Sequence, residues 1–71
     1  MFSERLKAVR NSKGLMQRDI AEYLSIVPKA YQKYEYGIRE PSFEILTKLC
    51  QFLEVSADYL LGLSDTPSRL P

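Results

Sequence analysis

The chain has 71 residues, of which 45% are hydrophobic and 27% charged, and its formal net charge is +1. This length predicts a single small domain, and the composition is ordinary for a soluble globular protein, which excludes a disordered or collagen-like chain. One cysteine excludes an intrachain disulfide, and no apolar run approaches the ~20 residues of a membrane span. The charged N-terminus does not fit a signal peptide, so we expect a cytoplasmic location without membrane contact.

The charge is distributed unevenly along the chain. Residues 1–41 contain eight basic and five acidic residues, whereas residues 42–71 contain two basic and four acidic residues. A positive first half and a negative second half are typical of a protein with a basic face directed at an anion, although many proteins without such a partner show a similar split.

Apolar residues recur at helical spacing along the whole chain, and no stretch alternates with period two, so the sequence predicts an all-α fold. We expect Ser3 to cap a first helix that has Leu6 and Val9 on its inner face. Gly14 is expected to end this helix, because glycine tolerates the backbone conformation found just after a helix. A second helix is predicted from about residue 16 to residue 24.

A third helix is predicted to begin at Pro28, because proline is favoured in a first helical turn, where its missing N–H group costs no hydrogen bond. This helix is expected to run to about Tyr36 and to end at Gly37. Its aromatic residues Tyr31 and Tyr34 have the spacing of a buried face, so we expect them in the core.

Ser42 is expected to cap a fourth helix. The predicted inner face of this helix consists of Phe43, Leu46, Leu49, Cys50 and Leu53. Ile45 and Phe52 are seven positions apart beside that face. They either belong to the core of a small, crowded domain or form an exposed apolar strip for self-association.

Ser56 is expected to cap a short fifth helix that runs to Leu61 and ends at Gly62. Residues 64–71 have no apolar pattern and are predicted to form a frayed tail. Five short helices joined by tight loops make a compact all-α domain.

No pattern in the sequence points to catalysis. The chain has no histidine, which is the commonest general base and metal ligand, and it has no G-x-S-x-G, phosphate-loop or metal-ligand motif. Cys50 has no second cysteine or histidine with which to hold a metal, so we expect a core residue. The sequence therefore predicts a binding module, without catalytic residues, metal, cofactor or an evident small-molecule site.

Two neighbouring segments, residues 17–24 and 28–37, are separated by three residues and are predicted to cross at roughly 90–120°. They resemble the helix-turn-helix of the Cro/CI repressor family of bacterial and phage regulators, also called the XRE family. Further agreement lies in Leu6-Lys7, Arg10, Lys13-Gly14-Leu15, Gln17, Lys33-Tyr34-Glu35, Gly37, Arg39-Glu40-Pro41-Ser42, Val55-Ser56 and Asp58-Tyr59-Leu60-Leu61-Gly62. The resemblance implies a five-helix repressor-like DNA-binding domain over residues 1–63, followed by a tail over 64–71.

Four positions depart from the pattern of the family. Ser25 stands where glycine is usual, because the turn tends to need a positive φ, and this implies mild strain or a different turn. Val27 replaces the usual serine or threonine cap of the recognition helix, so that cap is expected to be weak. Tyr31 replaces a β-branched aliphatic residue, and Tyr36 replaces an asparagine that faces the DNA backbone.

The resemblance implies sequence-specific binding of double-stranded DNA for transcriptional regulation, in the form of repression, with the third helix (about residues 28–36) in the major groove. The base contacts it implies come from Pro28, Lys29, Gln32 and Lys33. The phosphate contacts it implies come from Gln17, Arg18, Lys13, Tyr36 and Arg39. Lysine can donate to guanine and glutamine can pair with adenine through two hydrogen bonds, whereas proline offers only apolar contact, for instance to a thymine methyl.

The family often pairs an arginine of the first helix with a glutamate late in the third, and Arg10 and Glu35 stand at the matching positions. The resemblance therefore implies a structural ion pair between them. It also implies a homodimer on DNA, because operator-binding relatives usually contact half-sites ~34 Å apart.

Two alternatives remain open from the sequence. The weak net charge, Pro28 and the three tyrosines of the third helix (Tyr31, Tyr34 and Tyr36) also fit a protein-interaction module that has this fold but does not read DNA. An antitoxin or a controller of a restriction–modification system would show the same features at this length.

Overall fold

The computed structural model describes residues 1–68, and all regular elements in that part of the chain are α-helices. The helices are α1 (Phe2–Ser12), α2 (Gln17–Leu24), α3 (Pro28–Glu35), α4 (Phe43–Leu53) and α5 (Ala57–Leu61). The predicted five-helix, all-α architecture is confirmed. The longest helices have 11 residues, and within residues 1–68 none has the length and apolar character needed to cross a membrane.

The helices enclose one apolar core. α3 packs on α2 and α1, α1 also contacts α5, and α4 packs on α2 and α5. The buried apolar residues are Leu6, Val9, Ile20, Ala21, Leu24, Tyr31, Tyr34, Leu49, Cys50, Leu53, Val55 and Leu60. Burial of each large side chain in this set contributes about 1.5–3 kcal/mol. α3 packs against α1 and α2, and its residues Lys29 and Lys33, which point away from them, are exposed.

The helix caps agree with the prediction at two sites and differ at one. The side-chain oxygens of Ser42 and Ser56 accept hydrogen bonds from the backbone N–H groups three residues later, at 3.2 and 3.0 Å. The prediction for Ser3 was wrong, because α1 begins at Phe2 and Ser3 lies within its first turn. The carbonyl of Met1 already accepts a helical hydrogen bond from the backbone of Arg5, which makes Met1 the capping residue.

The predicted inner face of α4 was wrong at one position. Phe43 is 88% exposed, because it is the first residue of α4 and projects beyond the part of the helix that the core covers. Ile45 and Phe52, for which two interpretations were open, are half-buried and pack against the core. The ring of Phe52 also stacks on Tyr23 with 4.4 Å between the ring centroids, so these residues do not form an exposed strip.

The segment that follows α5 lies against the domain. Arg5 donates hydrogen bonds from Nη1 to the carbonyl oxygen of Ser64, at 2.7 Å, and from Nη2 to the Asp65 carboxylate, at 2.9 Å. A guanidinium group has five N–H donors, and this segment supplies acceptors for them. Residues 64–68 therefore contact the domain, residues 69–71 lie outside the described residues, and the frayed tail over 64–71 stays a prediction.

Candidate nucleic-acid interface

The turn between α2 and α3 keeps the geometry of a glycine-containing turn without the glycine. Ser25 has φ 59° and ψ 40°, in the left-handed region, which costs a residue with a side chain about 1–2 kcal/mol. The positive φ usual for glycine in this turn is therefore present, and mild strain at Ser25 stays a prediction. Val27 precedes α3 in an extended conformation and makes no side-chain cap, and Pro28 is the first residue of the helix, both as predicted.

α3 has one buried and one open side. Tyr31, Tyr34 and Glu35 are buried, and successive helical residues are separated by about 100° around the axis, which places these three on one side of the helix. The residues exposed on the other side are Lys29, Lys33 and, directly after the helix, Tyr36, whereas Pro28 is exposed as the first residue of the helix. Lys29 and Lys33 thus share one surface, with half-buried Gln32 at its edge and Pro28 at the start of the helix.

A hydrogen bond joins Gln32 to Gln17, the first residue of α2. Nε2 of Gln32 donates to Oε1 of Gln17 at 3.0 Å, and Nε2 of Gln17 donates to Oε1 of the buried Glu35 at 3.1 Å. Both glutamines are half-buried. No pattern in the sequence signals this contact, because it depends on how α2 and α3 cross. The hydrogen bond links a base-contact candidate to a phosphate-contact candidate.

Arg10 and Glu35 form a two-pronged ion pair. Nε of Arg10 donates to Oε2 of Glu35 at 2.6 Å, and Nη2 donates to Oε1 at 3.2 Å. The Tyr31 hydroxyl donates to Oε2 at 2.5 Å. Arg10 also donates from Nη1 to the carbonyl oxygen of Leu15 at 2.8 Å. The Glu35 side chain is 0% exposed, so this cluster joins α1, α3 and the loop before α2 from inside the domain.

The environment of the cluster keeps Glu35 charged. Burial by itself would raise the pKa of the Glu35 carboxyl, but hydrogen bonds from Arg10, Tyr31 and Gln17 outweigh it and the net pKa is lowered. The hydrogen bond to Glu35 raises the pKa of Arg10. Burial, followed by the contact with Glu35, raises the pKa of Tyr31, so its phenol stays protonated and donates.

Three of the other phosphate-contact candidates are exposed cations. Lys13 follows α1, Arg18 lies in the first turn of α2, and Arg39 follows α3. The backbone N–H of Arg39 donates to the carbonyl of Lys33 at 3.2 Å, which folds this loop against the end of α3. Within residues 1–68, none of these three cations forms an ion pair with a carboxylate. Their charge is therefore available to an external anion.

Within residues 1–68, no group of three or more histidine, cysteine, aspartate or glutamate residues is arranged to hold a metal ion. The site consists instead of an exposed helix face, exposed cations and a buried polar cluster behind them. Such a surface is suited to holding an extended polyanion, because phosphates are bound by cations and amides without any covalent chemistry.

Comparison with known proteins gives matches over nearly the whole domain. Residues 6–60 match the model of a family described as helix-turn-helix. The chain is 51% identical over 61 residues to the SPbeta prophage-derived HTH-type transcriptional regulator YonR of Bacillus subtilis, covering 86% of this chain and 56% of YonR. It is 48% identical over 61 residues to the HTH-type transcriptional regulator YqaE of the same organism, covering 86% of this chain and 53% of YqaE. The chain thus spans little more than half the length of these relatives.

Two solved protein–DNA complexes have the same fold. The biofilm regulator SinR of Bacillus subtilis in complex with DNA aligns with a TM-score of 0.77 and 29% identity, over 86% of this chain and 98% of that chain. The P22 c2 repressor bound to a synthetic operator aligns with a TM-score of 0.79 and 28% identity, over 84% of this chain and 91% of that chain. The chain belongs to the helix-turn-helix family, as its resemblance to the Cro/CI-type regulators predicted.

Proposed function

We propose that this domain binds double-stranded DNA in a sequence-specific manner and regulates transcription as a repressor, with α3 in the major groove. The observation that carries the proposal is the open side of α3, which presents Lys29, Lys33 and the edge residue Gln32. The SinR and P22 c2 domains, whose structures contain DNA, share this fold. An α-helix fits the major groove, where each base pair presents a distinct set of donors and acceptors.

The residues of α3 differ in what they can read. Lys29 and Lys33 would donate to guanine O6 or N7, and Gln32 would pair with adenine. Pro28 has no N–H group and would contribute apolar contact alone. The proposed reading surface therefore favours purines on the contacted strand.

The proposed phosphate contacts lie on both sides of α3. Gln17 stands at the start of α2, where backbone N–H groups and the helix dipole favour an anion. The other proposed contacts are Arg18, Lys13, Tyr36 and Arg39. These residues would hold the domain in register on the duplex without reading its sequence.

We further propose that the domain acts as a homodimer on DNA. Its longest dimension is 30 Å, and half-sites that face the same side of a duplex are ~34 Å apart. One copy therefore covers one half-site, and a second copy is needed for a two-fold symmetric operator. We also propose that the domain binds its DNA in the cytoplasm.

The test begins with selection of bound sequences from random duplex DNA, followed by titration of the selected site and a scrambled duplex. Gln32→Ala and Lys33→Ala should each cost about 1–3 kcal/mol on the selected site and relax the preference at one base pair. Glu44→Ala is the control, because Glu44 is an exposed residue of α4 outside the proposed interface. Equal losses on both duplexes would show that α3 is only an electrostatic surface.

The protein-interaction alternative has lost part of its basis. Of the three tyrosines that suggested it, Tyr31 and Tyr34 are buried in the core, and only Tyr36 is exposed. An antitoxin or controller-type regulator would still read DNA and would differ in the genes it regulates. Failure of the wild-type protein to bind either duplex at low salt would favour the interaction module over the repressor.

A further inference from the structure

The buried carboxylate of Glu35 accepts hydrogen bonds from three side chains on three different segments of the fold. Oε2 accepts from Arg10 and Tyr31, and Oε1 accepts from Arg10 and Gln17. An ionised carboxylate is an acceptor only and has no proton to offer. Whatever faces Oε1 must therefore be a donor, which determines how the amide of Gln17 is turned.

The need for a donor at Glu35 fixes the orientation of two side-chain amides in turn, first that of Gln17 and then that of Gln32. Gln17 has to direct its NH₂ group at Glu35, so its carbonyl oxygen faces α3, where Nε2 of Gln32 donates to it. A reversed Gln32 amide would place its oxygen against the oxygen of Gln17, which is repulsive. Gln32 consequently keeps its carbonyl oxygen and one N–H for an external partner, which is the pair of groups that adenine N6 and N7 require.

We propose that Glu35 and Tyr31 are positioning residues for DNA reading, which act through Gln17 to fix the orientation in which the Gln32 amide selects adenine. Tyr31 is fully buried and its hydroxyl occupies Oε2 together with Arg10. Together with the two hydrogen bonds from Arg10, this contact keeps the carboxylate from turning away from Gln17. The preference for adenine rests on the proposed function, whereas the orientation of the amides is a property of the free domain.

The variant that tests the proposal is Tyr31→Phe, which removes the hydroxyl and keeps the ring that fills the core. The matched control is Tyr34→Phe, because Tyr34 is a buried tyrosine of the same helix, in edge contact with the Tyr31 ring, and its hydroxyl is not a donor to Glu35. Both variants keep every residue of the proposed interface unchanged.

The first measurement uses the free protein and nuclear magnetic resonance of the side-chain amides. We expect the N–H proton of Gln32 that is bonded to Gln17 to be shifted from the value of a free glutamine side chain and to exchange slowly with solvent. Tyr31→Phe should shift both glutamine amides toward the values of freely rotating side chains, and Tyr34→Phe should leave them in place. Gln32 signals that do not respond to Tyr31→Phe overturn the proposal, whether or not the protein binds DNA.

The second measurement uses the selected site and the same site with 7-deazaadenine in place of the adenine whose preference is lost in Gln32→Ala. Wild type should bind the modified site on the order of tenfold more weakly, in line with the value of a bidentate base contact. Tyr31→Phe should lose most of that ratio and bind the scrambled duplex within about twofold of wild type, because phosphate contacts supply the nonspecific binding.

An equal loss of affinity on all three duplexes in Tyr31→Phe would assign the hydroxyl a purely structural role and overturn the proposal. Absence of binding by wild type to any duplex would overturn the proposed function and the adenine preference together. In that case the amide signals still decide whether the buried carboxylate orients Gln32, so the two failures are distinguishable.

Discussion

At the scale of single residues, Arg10 and Glu35 form a buried ion pair. Both charged groups are largely shielded from water, so each is stabilised by the other, and the Tyr31 hydroxyl also donates a hydrogen bond to Glu35. Breaking a buried pair by removing one partner is costly because the remaining charge is then buried alone. The pair at Glu44 and Lys48 is 3.5 Å long and largely exposed, so water already stabilises both of its charges.

Glu35→Ala should lower the free energy of unfolding by roughly 3 kcal/mol or more, because it leaves Arg10 uncompensated. Glu44→Ala should cost under about 1 kcal/mol, since exposed pairs contribute little. Denaturant midpoints of the two variants at neutral pH provide the comparison. A midpoint for Glu35→Ala that matches that of Glu44→Ala would show that the buried pair is not structural.

The lowered pKa of Glu35 predicts how stability depends on pH. Its stabilising contribution is fully present above the ordinary glutamate pKa of 4.5 and is lost as the pH falls through the lower value of the folded protein. Wild type should therefore lose stability more steeply than Glu35→Gln as the pH falls below 4.5. Urea denaturation at a series of pH values measures both slopes, and parallel slopes would contradict the prediction.

Only part of this cluster could be predicted from the sequence. Arg10 and Glu35 were expected to pair from the resemblance to a family, and their bond is present. The hydrogen bonds of Tyr31 and Gln17 to the same carboxylate were not expected. Gln17 and Glu35 are 18 residues apart and on different helices, and no local pattern reports whether two polar side chains meet after the helices have packed.

At the scale of helices and turns, local signals were reliable for the caps at Ser42 and Ser56 but misplaced the cap of α1, which is Met1 and not Ser3. The caps at Ser42 and Ser56 are formed within three residues of chain, and both were predicted. The position of Phe43 was not, because helical spacing tells which direction a side chain points and does not tell whether another element covers that end of the helix. Helix boundaries and caps were therefore easier to predict than burial at helix ends.

Ser25→Gly should stabilise the domain by about 1 kcal/mol, because glycine adopts a positive φ without the steric cost that a side chain incurs. Glu54, with φ 54° after α4, is a second site at which replacement by glycine should raise stability for the same reason. Lys7→Gly, in the exposed middle of α1, is the opposite control and should cost roughly 0.5–1 kcal/mol. Thermal unfolding of the three variants gives the signs, and a destabilised Ser25→Gly would mean that this turn is not strained.

At the scale of the whole molecule, the net charge of +1 conceals an arrangement that favours a polyanion. Several acidic groups are engaged within the protein, with Glu35 on Arg10 and Asp65 on Arg5. Within residues 1–68, the exposed cations on α3 and near it form no ion pair; these are Lys29, Lys33, Lys13, Arg18 and Arg39. A nearly neutral domain can therefore present a locally positive surface, which the overall charge in the sequence did not reveal.

Lys13→Ala should lower the slope of log affinity against log salt by about one unit if this lysine neutralises a phosphate in the complex. Gln32→Ala should weaken binding to the selected site and leave that slope nearly unchanged, because an amide releases no counterion. Titrations at several salt concentrations on one duplex measure both effects. Identical slopes for Lys13→Ala and wild type would remove Lys13 from the proposed phosphate contacts.

If Gln32 reads a base as proposed, the carbonyl oxygen that Gln17 directs at α3 also restricts how the binding preference of this domain can evolve. Any residue at position 32 meets an acceptor, so replacements that donate, such as arginine, lysine or asparagine, keep a hydrogen bond with Gln17. Aspartate or glutamate would place a negative acceptor against it. Because donors read guanine or adenine and carboxylates read cytosine, a single substitution that keeps this hydrogen bond would exchange one purine for another, and recognition of cytosine by a carboxylate would require a second, compensating change at Gln17.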